Sequence, residues 1–168
     1  DICDPVEAGP GIVLYTKEFY EHAVTKLNKH GVLVTQSGCA FSIPMTADNS
    51  SNDPACYAPI YNTLKAVFDC VVPFSSYLPS FGSDWGFIMA FNAPEGAISE
   101  ELEKKTRIPA EGTIDSMIEE RIEGGESSLG YYDGISHLRM FHLSKPLRKS
   151  MAEETRIMTK DNPIYMFT

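Results

Sequence analysis

Gly31-Val32-Leu33-Val34-Thr35-Gln36 is the stretch on which the fold turns. Three β-branched residues and a leucine, bounded by a glycine and a polar glutamine, predict a short buried strand. The residues before it, Thr16 to Lys29, predict a helix. Thr16 can cap it, Glu18 sits in its first turn, and Phe19, Ala23 and Leu27 recur four residues apart. Gly31 then ends it. A helix running into an apolar strand is one αβ unit of a parallel sheet.

Further along, residues 37–56 are rich in Ser, Asn, Asp, Ala and Pro without a clear period, which predicts a surface excursion. Ala58 to Phe68 reads as a helix, with Ile60, Leu64, Ala66 and Val67 apolar. Asp69 to Phe74 and Trp85 to Phe91 read as two apolar strands, joined by the turn-rich Ser75 to Asp84. So short a connection predicts a hairpin, hence an antiparallel pair at the edge of the sheet. From Asn92 the composition shifts towards Glu, Lys and Pro. Thr113 to Ile122 predicts a helix with Thr113 as cap and Ile114, Met117, Ile118 and Ile122 on one side, stopped by Gly124-Gly125. Ile135 to Phe141 and Lys145 to Thr155 predict shorter helices. The charge run Glu100 to Arg107 reads as a solvated face. The expectation is an α/β fold in two parts: 1–92 for the sheet, and 93–168 as a helical C-terminal extension.

The chain has 168 residues, enough for one domain with a real core. Its net charge of −9 argues against nucleic acid, which needs clustered Lys and Arg. An acidic surface suits a cationic small molecule, and it equally suits plain solubility. No apolar run approaches the ~20 residues that span a bilayer. The opening Asp1-Ile2-Cys3-Asp4 has no basic or apolar leader, so no signal peptide is expected. Cys3, Cys39, Cys56 and Cys70 form no C-x-x-C pair, and the four histidines show no metal spacing. Four reduced cysteines, no metal and a cytoplasmic location are the expectation.

Asp1-x-x-Asp4-Pro5 places two carboxylates three residues apart, stiffened by proline, where a parallel strand should end. Ligands of open α/β sheets bind at the carboxyl ends of strands. Alone, the motif equally describes a cap or a turn. It is followed in order by Leu14-Tyr15-Thr16-Lys17-Glu18-Phe19-Tyr20, by Gly31 to Gly38, and by Ile60-Tyr61-Asn62-Thr63-Leu64-Lys65. Val71-Val72-Pro73-Phe74 and Leu78-Pro79-Ser80-Phe81-Gly82-Ser83-Asp84-Trp85-Gly86-Phe87 come next.

This series resembles the second half of the polyamine aminopropyltransferases, the spermidine, spermine and thermospermine synthase family. The Pro79-Ser80-Phe81…Trp85-Gly86 stretch is most similar to the thermospermine branch. Ile114-Asp115-x-x-Ile118-x-x-Arg121-Ile122 resembles that branch more loosely. The resemblance implies the C-terminal half of a Rossmann-like, class I methyltransferase-type sheet with an antiparallel edge hairpin and a helical tail. It implies transfer of an aminopropyl group from decarboxylated S-adenosylmethionine to a polyamine, spermidine foremost, releasing methylthioadenosine and needing no prosthetic group. By that resemblance Asp1 is the proton acceptor, Asp4 holds the amine, and Gln36 contributes to the amine pocket. Gln36 also reads as a plain strand-end polar residue. Pro10 and Leu14 resemble positions lining the adenine pocket, with apolar packing as the competing role. Phe81 stands where spermidine synthases generally carry Tyr, so a hydroxyl is lost and the site becomes more apolar. Trp85 reads as a core anchor.

The family's Gly-rich loop, donor-ribose acid and N-terminal β-domain have no counterpart in these residues. The missing N-terminal half is therefore an expected partner, the chain alone is expected to be inactive, and a homo-oligomer is expected when complete. The alternative is a non-catalytic polyamine-binding relative.

Overall fold

The structure, a computed structural model, describes residues 4–7, 9–41, 56–93 and 100–166. A 3₁₀ turn, Pro10–Tyr15, leads into α1, Lys17–Val24. Thr16 caps α1 as the sequence predicts, its hydroxyl oxygen accepting from the Phe19 N–H at 3.4 Å. The helix ends five residues earlier than its periodicity predicts. Beyond its end the Asn92 side-chain amide donates to the Leu27 and Asn28 carbonyls at 3.0 and 3.1 Å, holding them in a turn.

Strand β1, Val32–Cys39, pairs antiparallel with β3, Ser83–Phe91, which pairs antiparallel with β2, Cys70–Leu78. The order is β1-β3-β2. Two sequence expectations are corrected here. Strand β1, read as a member of a parallel sheet, has only an antiparallel partner among the described residues. Most of Ser75 to Asp84, read as a loop, is strand, because the hairpin ladder continues out to Leu78 and Ser83. That leaves a four-residue turn, 79–82, in which Gly82 takes the left-handed φ of 65°. Strands β1 and β2 are the outer strands, and Pro73 lies in β2, where a missing donor is tolerated.

Helix α2, Tyr57–Lys65, covers the sheet face carrying Gly86, Ile88 and Ala90. Tyr57 crosses the sheet at Gly86, and its hydroxyl lies 3.1 Å from the Phe74 carbonyl and 3.2 Å from that of Phe87. Burial pushes its phenol pKa up, so it stays a donor. A methyl group on Gly86 would overlap the Tyr57 ring. The opposite face is covered at one end by α3, Glu100–Thr106, whose Leu102 is fully buried against Cys70 and Phe91. The charge run read as a solvated face therefore carries one buried anchor. Helix α4, Glu111–Arg121, begins two residues before its predicted cap. Ala110 occupies the cap position without a side-chain bond, so Thr113 is not the cap. Gly124 ends the segment at φ 83°. Helices α5, Gly134–Phe141, and α6, Lys145–Glu153, follow, with Asp133 and Ser144 capping them.

The last segment is a strap laid over α2. Asn62 donates to the Arg156 carbonyl at 2.8 Å, and the Met158 N–H donates to the Thr63 hydroxyl at 2.9 Å. Leu143, Leu147, Met158 and Met166 join the same buried cluster as Tyr20, Tyr57, Ile60 and Ile88. Of the expected surface excursion, residues 42–55 lie outside the described residues. Among the described residues no helix is long and apolar enough to cross a membrane, and Cys39, Cys56 and Cys70 are free thiols.

Gly86→Ala should destabilise the fold by about 1–3 kcal/mol through overpacking, read as a lower urea midpoint. Glu154 offers a second check. Burial would raise its pKa, but bonds from the Arg156 side chain and backbone, with the Arg156 charge, hold it below the ordinary carboxylate value. A depressed folded pKa stabilises above the unfolded value of about 4 and is lost as pH falls through the folded one. Glu154→Gln should lower the melting temperature at neutral pH and converge with wild type in acid.

Candidate active site

Asp4 and Gln36 are 32 residues apart in sequence and meet on β1, where Gln36, expected at the strand end, lies three residues before it because the strand continues through a bulge to Cys39. The Gln36 side-chain N–H donates to Asp4 Oδ1 at 3.5 Å. Two local features deliver Asp4. Its own carbonyl accepts from the Val6 N–H at 2.8 Å, folding the Pro5 region back in a tight turn. Pro5 is buried, and its carbonyl accepts from the Met166 N–H at 2.8 Å, which ties the motif to the strap. Gln36 is aimed by strand alternation. It shares a face with Val32 and Val34 and stands opposite Phe87 of β3.

After Gln36 the β1 register shifts through a bulge, so that Cys39 stands opposite Trp85. Within the bulge Gly38 has φ 77°, and Met166 packs where a Cβ would project. Trp85 and Phe87, two apart on β3, share the face that Gln36 presents. The Phe81 ring, from the hairpin turn, lies 4.4 Å from the Trp85 ring at 43°. Phe81 is 52% exposed and Trp85 7%. The Trp85 indole N–H is buried without a hydrogen-bond partner among the described residues. Residues from the helical part frame the same rim. Arg139 donates to Asp84 Oδ1 at 3.1 Å, and the Tyr131 hydroxyl donates to the Tyr77 carbonyl at 3.4 Å.

One end of the sheet thus gathers a half-buried carboxylate, an amide that orients it, and an aromatic pair. A carboxylate with a free oxygen can grip an ammonium by a charge-assisted bond, and aromatic faces attract cations and methylenes alike. A polyamine aminopropyltransferase of Sulfurisphaera tokodaii is 35% identical over 164 residues, 98% of this chain. Those of Saccharolobus solfataricus and a Synechococcus strain are 34% and 31% identical over 99% and 97% of it. This chain matches the C-terminal part of polyamine aminopropyltransferases.

It spans about half the length of the curated relatives it matches, 46 to 47%. No family model matches. A spermidine synthase in complex with the transition-state analogue AdoDATO superposes with a TM-score of 0.58 at 19% identity, over 90% of this chain and 43% of that one. The Thermotoga maritima spermidine synthase gives 0.55 at 17%, over 88% and 42%. The fold is therefore the Rossmann-like one expected from the sequence, with its antiparallel hairpin.

Of the residues singled out in the sequence, the structure brings Asp4 and Gln36 together and sets Phe81 on the same rim. Asp1 lies outside the described residues. Pro10, exposed, and Leu14, half-buried, sit together in the 3₁₀ turn before α1. Trp85, read as a core anchor, is buried, yet it also stacks on an exposed ring and carries an unused donor. The spacing Phe81-x-x-x-Trp85 across a tight turn was the signal for that pairing. Because Trp85 is the one tryptophan in the chain, its emission reports on this rim. Phe81→Ala should red-shift that emission and increase quenching by acrylamide, without a change in far-UV circular dichroism.

Proposed function

We propose that the protein carrying this chain transfers an aminopropyl group from decarboxylated S-adenosylmethionine to a polyamine, with spermidine as acceptor and thermospermine or spermine as product. The observation that supports the reading best is the meeting of Asp4 and Gln36 at the rim. Polyamine nitrogens are protonated at neutral pH, and only the free amine attacks carbon. On this reading Asp4 holds the cationic acceptor, with its carboxylate oriented by Gln36. Asp1 takes the proton from the attacking nitrogen as general base. The nitrogen lone pair then forms the new C–N bond at the aminopropyl methylene. The C–S bond breaks, and sulfur keeps the pair as the neutral thioether of methylthioadenosine. The sulfonium is already an activated leaving group, so positioning and proton removal are what the protein adds.

Pro10 and Leu14 are proposed to line the adenine side, and Phe81 to select the acceptor. A phenyl ring offers no hydroxyl to a short diamine, but its face suits a longer methylene chain. The Pro79 to Gly86 resemblance to the thermospermine branch points the same way. Because the chain spans about half of its relatives' length, residues 1–168 alone are proposed to be inactive.

In the complete protein, Asp4→Asn should raise the KM for spermidine, and Asp1→Asn should lower kcat by about 10²-fold or more, both measured as methylthioadenosine release. Release with spermidine but little with putrescine is expected. Equal turnover of the two amines would overturn the acceptor assignment, and unaltered activity of both variants would overturn the mechanism.

A further inference from the structure

A second cavity lies against the outer strand β2, between α2 and α6, and shares no residue with the Asp4–Gln36 rim. Its volume is about 450 Å³, within the range of small-molecule sites. Its lining is chemically one-sided. The polar side chains on it are Tyr61, Lys65 and Arg148, and no carboxylate, amide or small hydroxyl lines it. Val72, Phe141 and Met151 supply much of the apolar wall.

The two cations are placed rather than paired. Lys65 Nζ sits 5.4 Å from the centre of the Tyr61 ring, a cation–π contact that holds the ammonium at the wall. Arg148 donates one N–H to the Leu143 carbonyl, which fixes the guanidinium and leaves its other donors unused by acceptors among the described residues. Neither cation is in an ion pair among the described residues. In a chain of net charge −9, a concave site walled by unpaired cations and lacking carboxylates among its lining residues is a local inversion of the protein's field. It repels polyamines and selects their opposite.

We propose that this cavity binds a small amphipathic monoanion, a carboxylate on an aryl or hydrocarbon body. The carboxylate bridges Arg148 and Lys65, with the Tyr61 hydroxyl as a third donor. The body lies against Val72, Phe141 and Met151. A fork-shaped guanidinium matches a carboxylate in two-point contact. The site stands independently of aminopropyl transfer.

The test uses the complete protein labelled at its methionine methyl groups, with the Met151 resonance assigned by Met151→Leu, and three probes of one body: 4-phenylbutyrate, 4-phenylbutanol and 4-phenylbutylamine. The acid should shift the Met151 resonance saturably. The alcohol should bind about tenfold more weakly, and the amine should leave the resonance unmoved. Lys65→Gln with Arg148→Gln should bring the acid down to the level of the alcohol while leaving methylthioadenosine release and the melting temperature near wild type. If the double variant fails to fold, a steep loss of affinity for the acid but not the alcohol with added salt carries the same information. Equal affinities for acid, alcohol and amine, or no saturable shift with the acid, would overturn the proposal.

Discussion

The seat of α2 on the sheet follows from one close approach, the crossing of Tyr57 over Gly86. Helix α2 lies so near the sheet there that a Cβ on residue 86 would collide with the ring and would also stand 3.1 Å from the Gly38 carbonyl. The phenol reaches the Phe74 and Phe87 carbonyls, which belong to paired residues of the hairpin. A helix is therefore keyed to both β2 and β3 by one side chain. The hydroxyl has somewhere to go and the ring is buried, so the arrangement satisfies the polar group without opening a void. With α2 at that height, Ile60 and Leu64 reach Ile88 and Ala90, and the cluster closes.

The strap after α6 transmits that placement to the rim. Its bonds run in order along the chain: the Arg156 carbonyl to Asn62, the Met158 N–H to Thr63, the Met158 carbonyl to the Lys17 N–H, and the Met166 N–H to the Pro5 carbonyl. These backbone groups would otherwise be buried without partners, a cost of about 1–3 kcal/mol each. Together they join the strap to α2, to the start of α1 and to the Asp4–Pro5 turn. The Asp4–Pro5 turn is held by residues more than 150 positions later in the chain. A carboxylate that must sit within reach of Gln36 cannot rest on a free loop, and the strap is what removes that freedom.

What could be read in the sequence was whatever is decided locally. Thr16 declares itself as a cap, Val32 to Gln36 as a strand, and the β2 and β3 runs as a hairpin. What could not be read was decided by partners far along the chain. Beyond the end of α1, Asn92 takes the Leu27 and Asn28 carbonyls and holds them in a turn. The strand order β1-β3-β2 is a choice of neighbour, to which a period of two is blind. Ser75, Ser76 and Tyr77 look like turn residues. They extend β2 because β3 supplies a ladder opposite them. Leu102 is one apolar residue in a charged run, and its packing with Cys70, Phe91 and Ala93, distant in sequence or across a loop, makes it an anchor. At the rim, Asp4 was singled out from its motif and Gln36 from a strand end that in fact lies three residues further on. Their contact was not, because it depends on the bulge after Gln36 and on the strap.

On the proposed reading, the rim's composition follows from the shape of its substrate. A polyamine is a chain of ammonium groups spaced by methylenes, so a site for it must alternate grip and apolar contact. Asp4 supplies the first and the Phe81–Trp85 pair the second. Gln36 could have been a cation-repelling lysine or a second acid. As an amide it donates to one Asp4 oxygen and, among the described residues, leaves the other without a partner, so it fixes the carboxylate's direction without neutralising its charge. A lysine there would cancel the charge, and an acid would repel the carboxylate it should orient. Replacing a tyrosine hydroxyl by the Phe81 ring edge follows the same logic. Each hydrogen-bond acceptor removed from the wall makes a short, highly charged diamine costlier to hold, while a longer acceptor still covers the ring with its methylenes. Specificity at such a rim is set less by added contacts than by which charges are left without one.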